Sequence, residues 1–181
     1  MKKTLLPLLL LLVVVVSLTA ATAPRVGRAT LLSVEKSLDE RFRGLWDDNP
    51  YLLLGTTRGV YLENYGAVFT MEVDLVVNPT SLMHANVTKD EVVKFHQKKM
   101  ERIPILKKAL RDALVATAGS LDSVPPEEQI TIVAFLSNHP SWEDMNAIPT
   151  QITVQAPRKK LLDAQRAGTA AVDAVIRVTE N

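Results

Sequence analysis

Apolar residues recur along the chain at two different spacings, and each change of spacing marks a new element. Leu31, Val34, Leu38, Phe42 and Leu45 fall at three- and four-residue steps, with Glu35, Lys36, Asp39, Glu40, Arg41 and Arg43 on the other faces. That pattern predicts a helix. Asp47 to Pro50 should stop it, because proline and the residue before it resist helical backbone. The period then drops to two. Tyr51–Gly55 and Val60–Glu63 read as short strands. In the next strand Phe69, Met71, Val73 and Leu75 share one face, against Val68, Thr70, Glu72 and Asp74 on the other. Between these strands lie Asn64, which tolerates positive φ, and Gly66, which adopts it freely, so the break reads as a hairpin turn.

Residues 78–87 read as loop, and Thr88 with Glu91 three residues on is a capping-box signature. It opens the longest helical stripe, formed by Val92, Phe95, His96, Met100, Ile103, Leu106, Leu110 and Leu114. Pro104 inside the stripe predicts a kink or a division, and Gly119 is the expected stop. Ile130–Leu136 is apolar on both faces, which predicts a central strand covered on both sides. A polar loop, 137–149, leads to a shorter strand, Gln151–Ala156. A last helix is expected from Pro157, with Leu161, Leu162, Val172, Val175 and Ile176 inward and Gly168 at a close contact. The order α-β-β-β-α-β-β-α predicts an α+β domain with three main helices and a largely antiparallel sheet of about five strands.

The N-terminus adds an address. Lys2 and Lys3 precede an apolar run, Leu5–Leu18, and small residues follow from Thr19 to Ala23. This is the grammar of a secretory signal peptide, with cleavage after Ala21 or Ala23. The expected organisation is a signal peptide over 1–23, a linker over 24–30 and a single domain over 31–181. Periplasmic or extracellular location follows, with no transmembrane segment after cleavage. The alternative is an uncleaved anchor, because Leu5–Ala23 is long enough to span the inner membrane. The formal charge is +1 over 181 residues. Loss of Lys2 and Lys3, with no acid, brings it to about −1, which together with export argues against nucleic-acid binding. Cysteine is absent, which removes thiol-nucleophile, redox and zinc-cysteinate chemistry.

Candidate chemistry is sparse. His139, Glu143 and Asp144 sit within six residues, beside Trp142, in the 137–149 loop, where histidine with carboxylates suits acid–base work or metal binding. His84, His96 and His139 lie in separate elements without zincin spacing, so no metal site is expected. No phosphate- or dinucleotide-binding motif is present, and no cofactor is expected. Ser33 and Lys36 match Ser-x-x-Lys, but the companion motifs of that enzyme class are missing. Lys94, Lys98, Lys99, Arg102, Lys107, Lys108 and Arg111 predict a positive stripe along the long helix, suited to an anionic surface. Arg58, Tyr61 and Tyr65 around the hairpin suggest a small recognition patch. Asn86 to Thr88 is a formal glycosylation sequon, although Thr88 is better explained as a cap.

The combination of this N-terminus, the helix "VEKSLDERFRGLW" and "TRGVYLENYGAVFTMEVDLVV" resembles a family of secreted bacterial proteins of unknown function, most specifically over residues 58–75. The resemblance implies bacterial export and carries no activity, cofactor or site. Two function classes fit these observations. One is an exported, non-enzymatic binding or structural module for a protein or envelope component. The alternative is a small hydrolase-like enzyme using His139 with Glu143 or Asp144.

Overall fold

The structure, a computed structural model, describes residues 26–46, 52–76, 88–138 and 148–181. Its elements run α1 (Arg28–Arg43), β1 (Leu52–Leu53), β2 (Arg58–Leu62), β3 (Gly66–Asp74), α2 (Lys89–Ser120), β4 (Gln129–Leu136), β5 (Gln151–Pro157), α3 (Arg158–Ala167), α4 (Thr169–Val175) and β6 (Arg177–Glu180). The fold is α+β, as the pattern predicts. One sheet runs β1-β3-β4-β5-β6, and β2 pairs with β3 as well. β1 takes Val73 and Asp74 of β3 while β2 takes Gly66 to Thr70, so these two segments share one position in a sheet five strands wide.

The sheet is mixed rather than largely antiparallel. β3 and β4 pair in parallel from Gly66↔Gln129 to Val73↔Leu136, and the other pairings are antiparallel. The reason is the length of chain between them. Parallel neighbours need a crossover connection, and α2, 32 residues long, provides one. β6 had no counterpart among the predicted strands, since four mostly polar residues at the end of an expected helix carry no readable period.

The turn between β2 and β3 forms as its residues require. Asn64 has φ 64° and Gly66 φ 129°. A Cβ on Gly66 would lie 1.9 Å from the Gln129 carbonyl oxygen, so only glycine admits the parallel strand here. Thr88 and Glu91 close the expected capping box: Glu91 N donates to Thr88 Oγ1 at 3.3 Å, and Thr88 N donates to Glu91 Oε2 at 2.8 Å.

Three expectations are corrected. Helix α1 starts at Arg28, inside the stretch read as linker. Helix α2 continues through Pro104 without division. Pro104 and Met100 lie on its exposed side, so the carbonyl that loses its donor does so next to water. Buried Ile103, Leu106 and Leu110 meanwhile hold the helix on the core at and beyond the proline. Gly168 is not a packing contact, for nothing lies within 4 Å of a Cβ built there. Its φ of 105° ends α3 and starts α4, splitting the expected last helix in two.

One face of the sheet builds the core. Phe69, Met71 and Val73 of β3, Ile130, Ile132 and Ala134 of β4, and Ile152 and Val154 of β5 join Leu38 and Phe42 of α1, Leu106, Leu110 and Leu114 of α2, and Leu161 of α3 in one cluster. Helix α1 is also clipped to the β2 edge by two buried acids. Glu35 Oε1 accepts from Gly59 N at 2.7 Å and Asp39 Oδ1 from Thr57 N at 2.8 Å. Arg28 completes the clip, donating to Glu35 Oε1 at 2.6 Å and to the Gly59 carbonyl at 3.1 Å. A carboxylate and a guanidinium thus stand in for the strand that an open edge would otherwise recruit.

Candidate binding face and hairpin cleft

Strand parity decides what the second face of the sheet carries. Register places Val60, Val68, Thr131, Gln155 and Arg177 in one row across it, and Arg58, Thr70, Val133, Thr153 and Thr179 in the next. Glu72, Phe135 and Gln151 form a third. No described helix packs its buried residues here, since the core cluster draws on the opposite parity. Val60 and Leu62 are 47% exposed, Phe135 44% and Tyr65 40%. The expectation that Ile130–Leu136 is covered on both sides holds at Thr131 and Val133, 3% and 9% exposed, and fails at Phe135.

The proposed patch of Arg58, Tyr61 and Tyr65 does not exist as one surface. Arg58 pairs with Thr70 and Tyr61 with Ala67, three residues apart along β2 and on opposite faces. Tyr61 points to the helix side, where its hydroxyl donates to Glu128 Oε1 at 3.2 Å. Burial, followed by that hydrogen bond and by the negative charge of Glu128 and Glu63, raises the Tyr61 phenol above its ordinary pKa. Tyr65 belongs to the turn, and its hydroxyl shares a hydrogen bond of 3.1 Å with Thr131 on the second face.

A shallow cleft of about 630 Å³ lies at this end of the sheet, lined by Asn64, Tyr65, Glu127, Glu128, Gln129 and Gln155, with Pro125 beside them. Its walls are fixed by backbone. Gln129 N donates to the Tyr65 carbonyl at 2.7 Å, and the first turn of α3 ties down the 125–128 loop through Arg158 N to Glu128 O at 2.9 Å and Lys159 N to Pro126 O at 2.8 Å. Glu128 Oε2 is buried and accepts no hydrogen bond among the described residues.

The basic helix is not a continuous stripe. Lys99 and Arg102 are only 2% and 4% exposed. Lys99 Nζ donates to the Ser137 carbonyl at 3.0 Å and to Asn138 Oδ1 at 3.4 Å. Arg102 donates to the Leu75 carbonyl at 2.7 Å and lies 4.9 Å from the centre of the Trp46 ring. Both cations anchor the carboxyl ends of the parallel strands, so Arg102 does not present its charge to an outside surface. Lys107 pairs with Glu180 at 2.7 Å, Lys108 with Asp112 at 2.8 Å and Arg111 with Asp173 at 3.5 Å. Lys94 is exposed, while Lys98 and His96 are half-buried.

His84, His139, Trp142, Glu143 and Asp144 lie outside the described residues. Among the described residues, no group of three or more His, Asp or Glu side chains is placed to hold a metal ion. Ser33 and Lys36 lie exposed on α1. The sequence reading missed Val60, Leu62, Phe135, Glu128 and Gln155. The apolar ones were visible as residues of the wrong parity for the core, but parity points outward only once the helices are assigned to one face. Among the described residues no helix is long and apolar enough to cross a membrane. No protein-family model, curated protein or solved structure matches the chain.

Proposed function

We propose that the chain is an exported, non-enzymatic binding module that meets a protein or envelope component through the face of its sheet opposite the core. The reading rests on one observation: Val60, Leu62, Tyr65 and Phe135 are 40–47% exposed on the side opposite the core. Val60, Leu62 and Tyr65 stand at the hairpin end of this face and Phe135 at its other end, and exposed apolar side chains rimmed by polar ones have the anatomy of a contact site. Arg58, Glu72 and Arg177 supply that rim on the same face. The signal-peptide grammar of Met1–Ala23 supports export and the periplasm or exterior as the place of contact. The basic helix is the weaker surface, because Lys99 and Arg102 are spent inside the domain.

Capture from a bacterial envelope extract tests this, using immobilised wild type, Val60→Asp, Phe135→Glu and a Lys94→Glu/Lys98→Glu double variant. Components held by wild type and by the helix variant, but lost from both sheet variants, are the expected result. Components lost only when the helix charges are reversed would overturn the assignment to the sheet.

A further inference from the structure

We infer that the cleft beside the hairpin turn is a saccharide subsite, recognising the hydroxyl groups and one C–H face of a neutral pyranose. The inference rests on the binding-module reading and names the class of envelope component it takes.

Three carboxamide residues, Asn64, Gln129 and Gln155, line the cleft together with Glu127, Glu128 and Tyr65. Each carboxamide presents an acceptor and two donors, and each carboxylate presents acceptors alone. Vicinal sugar hydroxyls, which both give and take hydrogen bonds, match this set better than a purely anionic or purely apolar ligand does. Among the described residues no cation lines the cleft. Two border it: Lys159, whose Nζ is 3.7 Å from Glu127 Oε1, and Arg177, which pairs with Gln155 on the neighbouring strand. Two acids, Glu127 and Glu128, in a lining without a described cation disfavour uronic or sulfated sugars.

The aromatic wall is held in place. Tyr65 is 40% exposed, yet its hydroxyl is fixed to Thr131 and its carbonyl to Gln129 N. A ring pinned at both ends offers its face to a C–H surface at little cost in ordering. Gln129 and Gln155 stand diagonally across the β4/β5 pair, on rigid strand rather than loop. The Glu128 carboxylate is engaged on the helix side, where Tyr61 holds Oε1, so Glu127 is the acid left to the cleft. The cleft is shallow and open, which suits one or two rings of a chain rather than an enclosed small molecule.

Titration calorimetry with three trisaccharides tests the assignment: tri-N-acetylchitotriose, cellotriose and an N-sulfated glucosamine trimer. Saturable binding of at least one neutral trimer, with a Kd of about 0.1–5 mM, and none of the sulfated one is expected. Gln155→Leu and Tyr65→Ala should each weaken binding about tenfold or more, while Tyr65→Phe keeps most of it. Gln155→Leu decides the matter if Tyr65→Ala fails to fold. Absence of saturation by either neutral trimer at about 20 mM, preference for the sulfated trimer, or unchanged affinity in Gln155→Leu would overturn the inference. Phe135→Glu separates the two readings. It is expected to remove the sheet-face contact and leave trisaccharide affinity intact, so failure of the sheet-face assignment and failure of the saccharide subsite are read separately.

Discussion

Tyr61 and Tyr65 are four residues apart and lie on different sides of the molecule. Tyr61 belongs to β2 with its side chain on the helix side, next to Glu128, and Tyr65 has left the strand for the turn. Their environments give a testable difference. Burial and the Glu128 carboxylate raise the Tyr61 pKa, so its proton is held more tightly in the folded chain than in the unfolded one. The associated stability is complete below the unfolded value of about 10 and is lost as pH rises through the higher folded value. Wild type should therefore lose more Tm than Tyr61→Phe when pH is raised from about 9 to about 11. Parallel losses in thermal melts of the two proteins would show that this phenol is not held by burial and Glu128. The residue types were readable in the sequence here. Their partners were not, because Glu128 is 67 positions from Tyr61 and reaches it only through the β3/β4 register.

At the level of elements, the caps and turns were legible and the breaks were not. Thr88 with Glu91 is a local device whose partners lie three residues apart, so sequence alone specifies it. Pro104 is equally local, yet the helix runs through it because tertiary contacts on the opposite side outweigh the lost hydrogen bond. Replacing it with alanine restores a backbone donor and removes the ring clash. Pro104→Ala should stabilise the fold by about 1–3 kcal/mol in urea denaturation with no gain in helix content. A loss of stability would mean that the proline shapes the helix rather than being tolerated by it. Glu35 and Asp39 teach the reverse lesson. Both read as solvent-facing positions of α1, and both are buried against the backbone of the β2 approach. A carboxylate accepting backbone N–H groups substitutes for a missing strand, a use that no helical periodicity reveals.

At the scale of the whole molecule the two faces of the sheet differ, and among the described residues the helices pack their buried residues on one of them. Phe69 and Phe135 are both strand phenylalanines in apolar runs, and one is fully buried while the other is 44% exposed. Truncating them should expose the difference. Phe69→Ala is expected to cost about 3–5 kcal/mol, whereas Phe135→Ala costs less than about 1 kcal/mol. Comparable losses in chemical denaturation would mean that the second face is covered in the folded protein and is not a contact surface. The cleft depends on this asymmetry as well, since Gln129 and Gln155 share the face opposite the core.

The α+β class, the hairpin turn at Asn64–Gly66, the cap at Thr88 and the inward parity of β3 are written in the chain, because each rests on residues a few positions apart. That β3 and β4 run parallel, that Lys99 and Arg102 turn inward while Met100 turns out, and that Phe135 meets solvent came from the packing of distant segments. Those outcomes depend on which distant segments become neighbours. Local periodicity fixes which residues share a face, and only the placement of the helices decides which face meets water.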